Sequence, residues 1–182
     1  SIPVILFVDT FNRYYEPENV RSAIKVLKKA GYFPFIPTLE NSSKVLCCGR
    51  TYLTNGLINH AKNEVLNILE TYKPYLKNGI SIVGLEPSCI LSFRDEIPNL
   101  IKNEETDYLK NNSYTFEELL SKHSEQLKFK NLTKKVLLHG HCHQKAFDVV
   151  KPIENILKNI KGAEVETIET SCCGMAGSFG YD

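Results

Sequence analysis

The triplet Cys-Cys-Gly occurs twice, as Cys47-Cys48-Gly49 and Cys172-Cys173-Gly174, and each copy comes at the end of the same series of predicted elements. In the first series residues 4–8 form an apolar strand. Residues 17–30 form a helix with Val20, Ala23, Ile24, Leu27 and Ala30 on one face, closed by Gly31. Residues 32–36 form a second strand, placed at a sheet edge by Pro34. In the second series residues 135–139 form a strand and Gly140-His141-Cys142-His143 turns out of it. Residues 146–160 are helical with an interruption at Pro152, and residues 165–168 form the next strand. The order of elements is an internal duplication, with Val4-Ile5-Leu6 answering Val136-Leu137-Leu138. Strand and helix in alternation predict an α/β fold: a mostly parallel sheet with helices on both faces, built from two related strand-helix halves.

Between the two series the spacing predicts a helix over 54–72, a strand over 80–85 and a short helix from about Ile90. Residues 103–114 are polar and aperiodic and read as a connection, and Thr115 with Glu118 makes a capping box for a helix to about Leu127. The division expected is a first half over 1–102, a connecting segment and helix over 103–130, and a second half over 131–182. Ser1 runs almost directly into the first strand and the only methionine is Met175, so the chain is expected to be a piece of something longer, cut within its second half.

Several function classes are disfavoured by composition. With 22 Lys and Arg against 21 Asp and Glu, the net charge of +1 supplies no field for a polyanion, so nucleic acid is not an expected partner. No apolar run approaches the roughly 20 residues of a membrane span. A chain of 182 residues with 42% hydrophobic content can bury a core without disulfide staples, and adjacent cysteines pair poorly with each other. The six cysteines, Cys47, Cys48, Cys89, Cys142, Cys172 and Cys173, are therefore read as reduced thiols.

All six follow a predicted strand, which in a parallel sheet brings them toward one edge, beyond the carboxyl ends of the strands, where such folds bind ligands. Thiolates favour zinc, copper(I) and iron-sulfur clusters. The paired Cys-x-x-Cys knuckles of structural zinc are absent, as are the closely spaced runs of common cubane clusters. Adjacent cysteines could hold two neighbouring irons from one turn, and the glycine after them lets backbone approach inorganic sulfide. His141 and His143 bracket Cys142 and are further donor candidates; the competing reading is of strand-end histidines satisfied by backbone. Arg50, next to the first triplet, either offsets thiolate charge or is simply solvated, and Lys145 has a similar position beside Cys142. The glycine-rich run 174–180 is not a dinucleotide fingerprint, nor does one follow any strand, so no flavin site is expected in this chain.

Cys47-Cys48-Gly49, Glu86-Pro87-Ser88-Cys89, His139-Gly140-His141-Cys142-His143 and the run Cys172 to Gly180 resemble the cysteine-rich CCG domain family. That family includes the cysteine-rich component of heterodisulfide reductase, iron-sulfur components of glycolate oxidase and anaerobic glycerol-3-phosphate dehydrogenase, and lactate utilisation proteins. With Phe7-Val8-Asp9-Thr10-Phe11-Asn12 and Glu16-Pro17, the likeness is greatest to the C-terminal iron-sulfur region of FAD-linked oxidases of the D-lactate dehydrogenase type.

The resemblance implies an electron-transfer domain of an FAD-dependent 2-hydroxy-acid dehydrogenase or oxidase. It would pass electrons from flavin to a quinone or other carrier and would not be catalytically complete alone. It implies an iron-sulfur cluster, of the non-cubane 4Fe-4S kind in the full motif, held by the six cysteines. FAD would lie on another domain of the same polypeptide or on a partner subunit, and the location would be cytoplasmic, peripheral at the inner face of the membrane. The sequence departs from the full motif: the first half has Thr10 or Phe11 near the place of a lone cysteine, and Glu86 stands where a Cys-x-x-Cys would begin. Glu86 is thus a candidate oxygen ligand. The alternative is a zinc-binding or metal-free structural or interaction domain of the same kind of oxidoreductase.

Overall fold

The computed structural model describes residues 1–39, 45–171 and 174. β1 (Ile2–Phe7) is apolar almost throughout because it lies between two neighbours and is covered on both faces; Val4, Ile5 and Leu6 are fully buried. The Asp9 carboxylate ends the strand by accepting hydrogen bonds from the Asn12 backbone N–H at 2.9 Å and from Asn12 Nδ2 at 2.8 Å, which caps α1 (Thr10–Tyr14). Pro17 starts α2 (Pro17–Lys29), and Gly31, at φ +84°, reverses the chain into β2 (Tyr32–Phe35). β2 occupies the sheet edge, where the missing N–H of Pro34 is tolerated.

Next come α3 (Arg50–Thr54) and α4 (Ile58–Leu76), with Gly56 at φ +73° between them. The helix expected over 54–72 thus begins after this break and runs one turn further. β3 (Ser81–Gly84) pairs with β1 and leads into α5 (Pro87–Ile90), a 3₁₀ turn over Leu91–Phe93 and α6 (Glu96–Leu100). The expected connection over 103–114 instead holds α7 (Glu104–Asn112), capped reciprocally by Asn103 and Thr106, and β4 (Ser113–Thr115), which pairs with β3. Polarity hid both: α7 buries only Thr106 and Leu109, and β4 is three residues of serine, tyrosine and threonine.

The Thr115–Glu118 capping box forms as expected, but α8 (Phe116–Ser121) is shorter than its sequence pattern and gives way to a 3₁₀ turn at Ser124–Gln126. β5 (Lys134–Leu138), α9 (Cys142–Ala146), α10 (Lys151–Lys158) and β6 (Ala163–Thr167) complete the described chain. Pro152 stands in the first turn of α10, so it begins this helix rather than interrupting one.

Every strand pairing is parallel, and the strands form a four-stranded sheet in the order β2-β1-β3-β4 and a two-stranded sheet β5-β6. Alternate residues of β1 separate the two cores. Ile5 and Phe7 pack with α4, α5, α6 and α7 on one face, while Val4, Leu6 and Val8 pack with α2, α8 and α10 on the other. Among the described residues β5 and β6 do not join the larger sheet; the halves are connected by helices, α10 lying on α8 and α9 on α5. No described helix is long and apolar enough to cross a membrane.

Candidate metal centre

The first half contributes thiols. Gly49 has φ +77°, and a Cβ there would stand 3.2 Å from the Ala61 carbonyl oxygen and 3.3 Å from Ala61 Cα. Only glycine therefore lets Cys47-Cys48 lie this close to α4. Cys48 is buried in the core next to Cys89 of α5, with the two sulfur atoms 3.2 Å apart. The separation is slightly under the ~3.8 Å of two thiolates on one tetrahedral ion with bonds of about 2.3 Å. Cys47 is half-buried, and its sulfur accepts from the Gly49 N–H at 3.5 Å. Its hydrogen bond with Cys48, together with burial, pushes the Cys47 thiol well above the ordinary range. At Cys48 the same bond favours the thiolate, but contact with Cys89 and burial outweigh it, and the thiol is pushed up to about 12.

Among the described residues the second half contributes imidazoles and one exposed thiol. Gly140 lets the turn after β5 approach Val150, whose Cγ2 would be 2.7 Å from an added Cβ. His141 is then the N-cap of α9: its Nδ1 accepts the His143 N–H at 3.2 Å, and its own N–H donates to Gln144 Oε1 at 3.1 Å. The rings of His141 and His143 stack with centroids 5.1 Å apart. Donor atoms of His141, Cys142 and His143 all lie within 4.8 Å of one another, close enough for small side-chain rotations to converge on one ion.

The two histidines differ. With Nδ1 occupied by the cap, His141 carries its proton on Nε2, which faces Glu86 Oε1 at 3.8 Å. His143 Nδ1 is buried without a hydrogen-bond partner among the described residues. A buried ring nitrogen left unmatched is costly, so His143 is the imidazole with a nitrogen not committed to another partner among the described residues. Burial holds both rings below the usual imidazole pKa, in the neutral form that ligates metal. Arg50 of α3 acts in the same direction and is itself ion-paired to Glu96 of α6.

Glu86, a candidate oxygen ligand, caps α5 by accepting from Ser88 N–H at 3.1 Å and Ser88 Oγ at 2.6 Å. It is thus the first-half group facing His141. The histidine satisfied by backbone is His139, whose Nε2 lies 3.2 Å from the Ser171 carbonyl oxygen. Lys145 Nζ donates to the neighbouring Thr170 carbonyl at 2.7 Å, so the strand leading to the second triplet is tied beside α9. Cys172 and Cys173 lie outside the described residues. In the order of elements, Cys142 opens α9 as Thr10 opens α1. The partnership of Arg50 with Glu96 was invisible in the sequence, where Glu96 looks like any helical surface charge.

An α/β protein with thiols and imidazoles gathered beyond the strand ends is the class that fold and site define. The chain is 26% identical over 181 residues to the C component of the anaerobic glycerol-3-phosphate dehydrogenase of Escherichia coli (strain K12), a match that covers 98% of this chain and 44% of that protein. It is 25% identical over 187 residues to D-2-hydroxyglutarate dehydrogenase of Haemophilus influenzae, covering 98% of this chain and 18% of that one. Over 188 residues it is 24% identical to lactate utilization protein A of Bacillus cereus (strain G9842), covering 97% of this chain and 73% of the other. The chain thus spans less than half the length of the first two relatives. No protein-family model matches it, nor does any solved structure.

Proposed function

We propose that this chain is a CCG-type iron-sulfur electron-transfer unit of an FAD-dependent oxidoreductase acting on a 2-hydroxy acid. It would take electrons from a flavin domain on the same polypeptide or a partner subunit and deliver them to a quinone or another carrier. The observation that carries this reading is the contact of α5 with α9 beyond the strand ends, where Glu86 Oε1 of the first half lies 3.8 Å from His141 Nε2 of the second. α5 carries Cys89, paired with Cys48, and α9 carries Cys142 and His143 beside His141. Similarity over nearly the whole chain to proteins named as dehydrogenases or a lactate utilization protein supports the same class.

The donors fit the chemistry. Soft sulfur donors and a neutral imidazole suit iron-sulfur or zinc, and the buried, unmatched Nδ1 of His143 is accounted for by a metal bond. Cys47, Cys48, Cys89 and Cys142 would hold the group, with Cys172 and Cys173 added on their sequence pattern and His143 as nitrogen donor. Adjacent cysteines gripping neighbouring irons favour a non-cubane 4Fe-4S arrangement. Such a cluster stores and releases single electrons without moving a proton. His141 and Glu86 would orient the second half's donors against the first. Arg50, fixed by Glu96, would offset the negative charge of the thiolates.

Iron and acid-labile sulfide analysis of anaerobically prepared protein, with electron paramagnetic resonance in oxidised and reduced states, tests this. Iron with sulfide and a redox-dependent signal is expected. A mixed set of sulfur and nitrogen donors also suits structural zinc. Stoichiometric zinc with no signal in either state would establish that reading instead.

A further inference from the structure

The duplication pairs Arg13 with Lys145: each is the fourth residue of the short helix that follows its half's first strand. Each also lines a cavity at the carboxyl ends of that half's strands. In the second half the cation is satisfied internally, because Lys145 Nζ donates to the Thr170 carbonyl and lies 3.4 Å from His139 Nε2. Arg13 differs. Its Nε is buried and has no hydrogen-bond partner among the described residues, although an unmatched charged donor inside a protein is expensive.

The cavity beside Arg13 has a volume of about 250 Å³, and its walls include Leu6, Val8, Ile36, Thr38, Leu46 and Tyr72. Arg13 and Tyr72 line the same cavity; burial pushes the Tyr72 phenol up, and the Arg13 guanidinium draws it partly back. The volume is below the ~300–1,000 Å³ typical of drug-sized ligands. The guanidinium is the only charged group lining this small cavity among the described residues, and aliphatic side chains stand beside it, which matches a monoanion with a short hydrocarbon chain; a phosphate dianion would leave its second charge uncompensated there.

We infer that the Arg13 cavity binds a small monocarboxylate, its carboxylate on Arg13 and its chain against the ends of β1 and β2. The inference does not depend on the metal-centre reading. The ligand would rest against Leu46, the residue before Cys47-Cys48, so occupancy would stiffen the approach to the first thiol pair.

Calorimetric titration of the purified protein with butyrate, and with butyramide as its uncharged isostere, tests the inference. Saturable butyrate binding is expected, at least tenfold weaker for butyramide and at least tenfold weaker in Arg13→Met. Hydrogen exchange with butyrate present should slow in peptides covering β1 to α1 and Leu46. Absence of butyrate binding, or equal binding of acid and amide, would overturn it. Unchanged affinity in a folded Arg13→Met protein would do the same. Should that variant fail to fold, the acid-to-amide ratio on the unaltered protein decides alone.

Discussion

The sulfur atoms of Cys48 and Cys89 lie 3.2 Å apart although 41 positions separate them in sequence, because β2 and β3, the strands that precede them, flank β1 in parallel and their carboxyl ends open on the same side. Cys89 is held there by its place in α5, which Glu86 caps, and Cys48 by the left-handed turn at Gly49.

That turn is the more fragile support. Gly49→Ala must place a side chain at φ +77° and against the Ala61 backbone, at a cost of about 1–3 kcal/mol. Thermal unfolding of the variant should show the loss. Its bound metal, measured in the same preparation, should fall as well, since the turn sets the position of Cys48.

Exposure ranks the thiols of metal-free protein. Cys142 is exposed, Cys47 half-buried, and Cys48 and Cys89 are buried. Alkylation by iodoacetamide at pH 8, followed by peptide mass spectrometry, should label Cys142 before Cys47, Cys48 and Cys89. Cys48 and Cys89 should react last, since burial shields both sulfur atoms. Early labelling of Cys48 would mean that the packing around it is wrong.

The histidines impose a pH dependence with a definite sign. Burial lowers the folded-state pKa of both His141 and His143, so the unfolded chain binds protons first as pH falls. Their contribution to stability is therefore complete above the ordinary imidazole value of 6.5 and is lost as pH falls through and below it. The midpoint of thermal unfolding of metal-free protein should drop between about pH 7.5 and 5.5. The drop should shrink when both residues are replaced by glutamine.

Outside the site, Arg94 ties the segment after α5 to β4 and α8: Nε donates to the Ser113 carbonyl at 2.8 Å and Nη2 to Glu118 Oε2 at 2.7 Å. Glu118 also accepts the Thr115 N–H, so Arg94→Met leaves a largely buried carboxylate and carbonyl short of a donor. A loss of about 2–4 kcal/mol is expected in denaturant unfolding, below the upper range for fully buried pairs because the two side chains keep some exposure.

Much of the fold was legible where local chemistry and tertiary role agree. The apolar run of β1, the Pro34 edge strand, the glycine closing α2 and the Thr115–Glu118 capping box all carry their signals within a few residues. α7 and β4 were not legible because the side chains they bury are mostly polar, Thr106, Ser113 and Thr115 with Leu109 the one apolar exception, so neither leaves a hydrophobic period in the sequence. The separate β5-β6 sheet was hidden for a related reason, since alternating strands specify pairing without saying how many neighbours the sheet has. In the site, spacing put thiols and histidines after strands. The division between a capping His141 and an unmatched His143 depended on hydrogen bonds that spacing does not encode.

The central claim is that donors from the two halves serve one centre. Iron content and paramagnetic resonance of anaerobically prepared Cys142→Ser protein test it most directly, with Cys48→Ser as the companion. The account predicts that either single replacement removes most of the iron and the whole redox-dependent signal. Retention of about half the iron with an unaltered spectrum in Cys142→Ser would contradict it, for the halves would then hold separate centres.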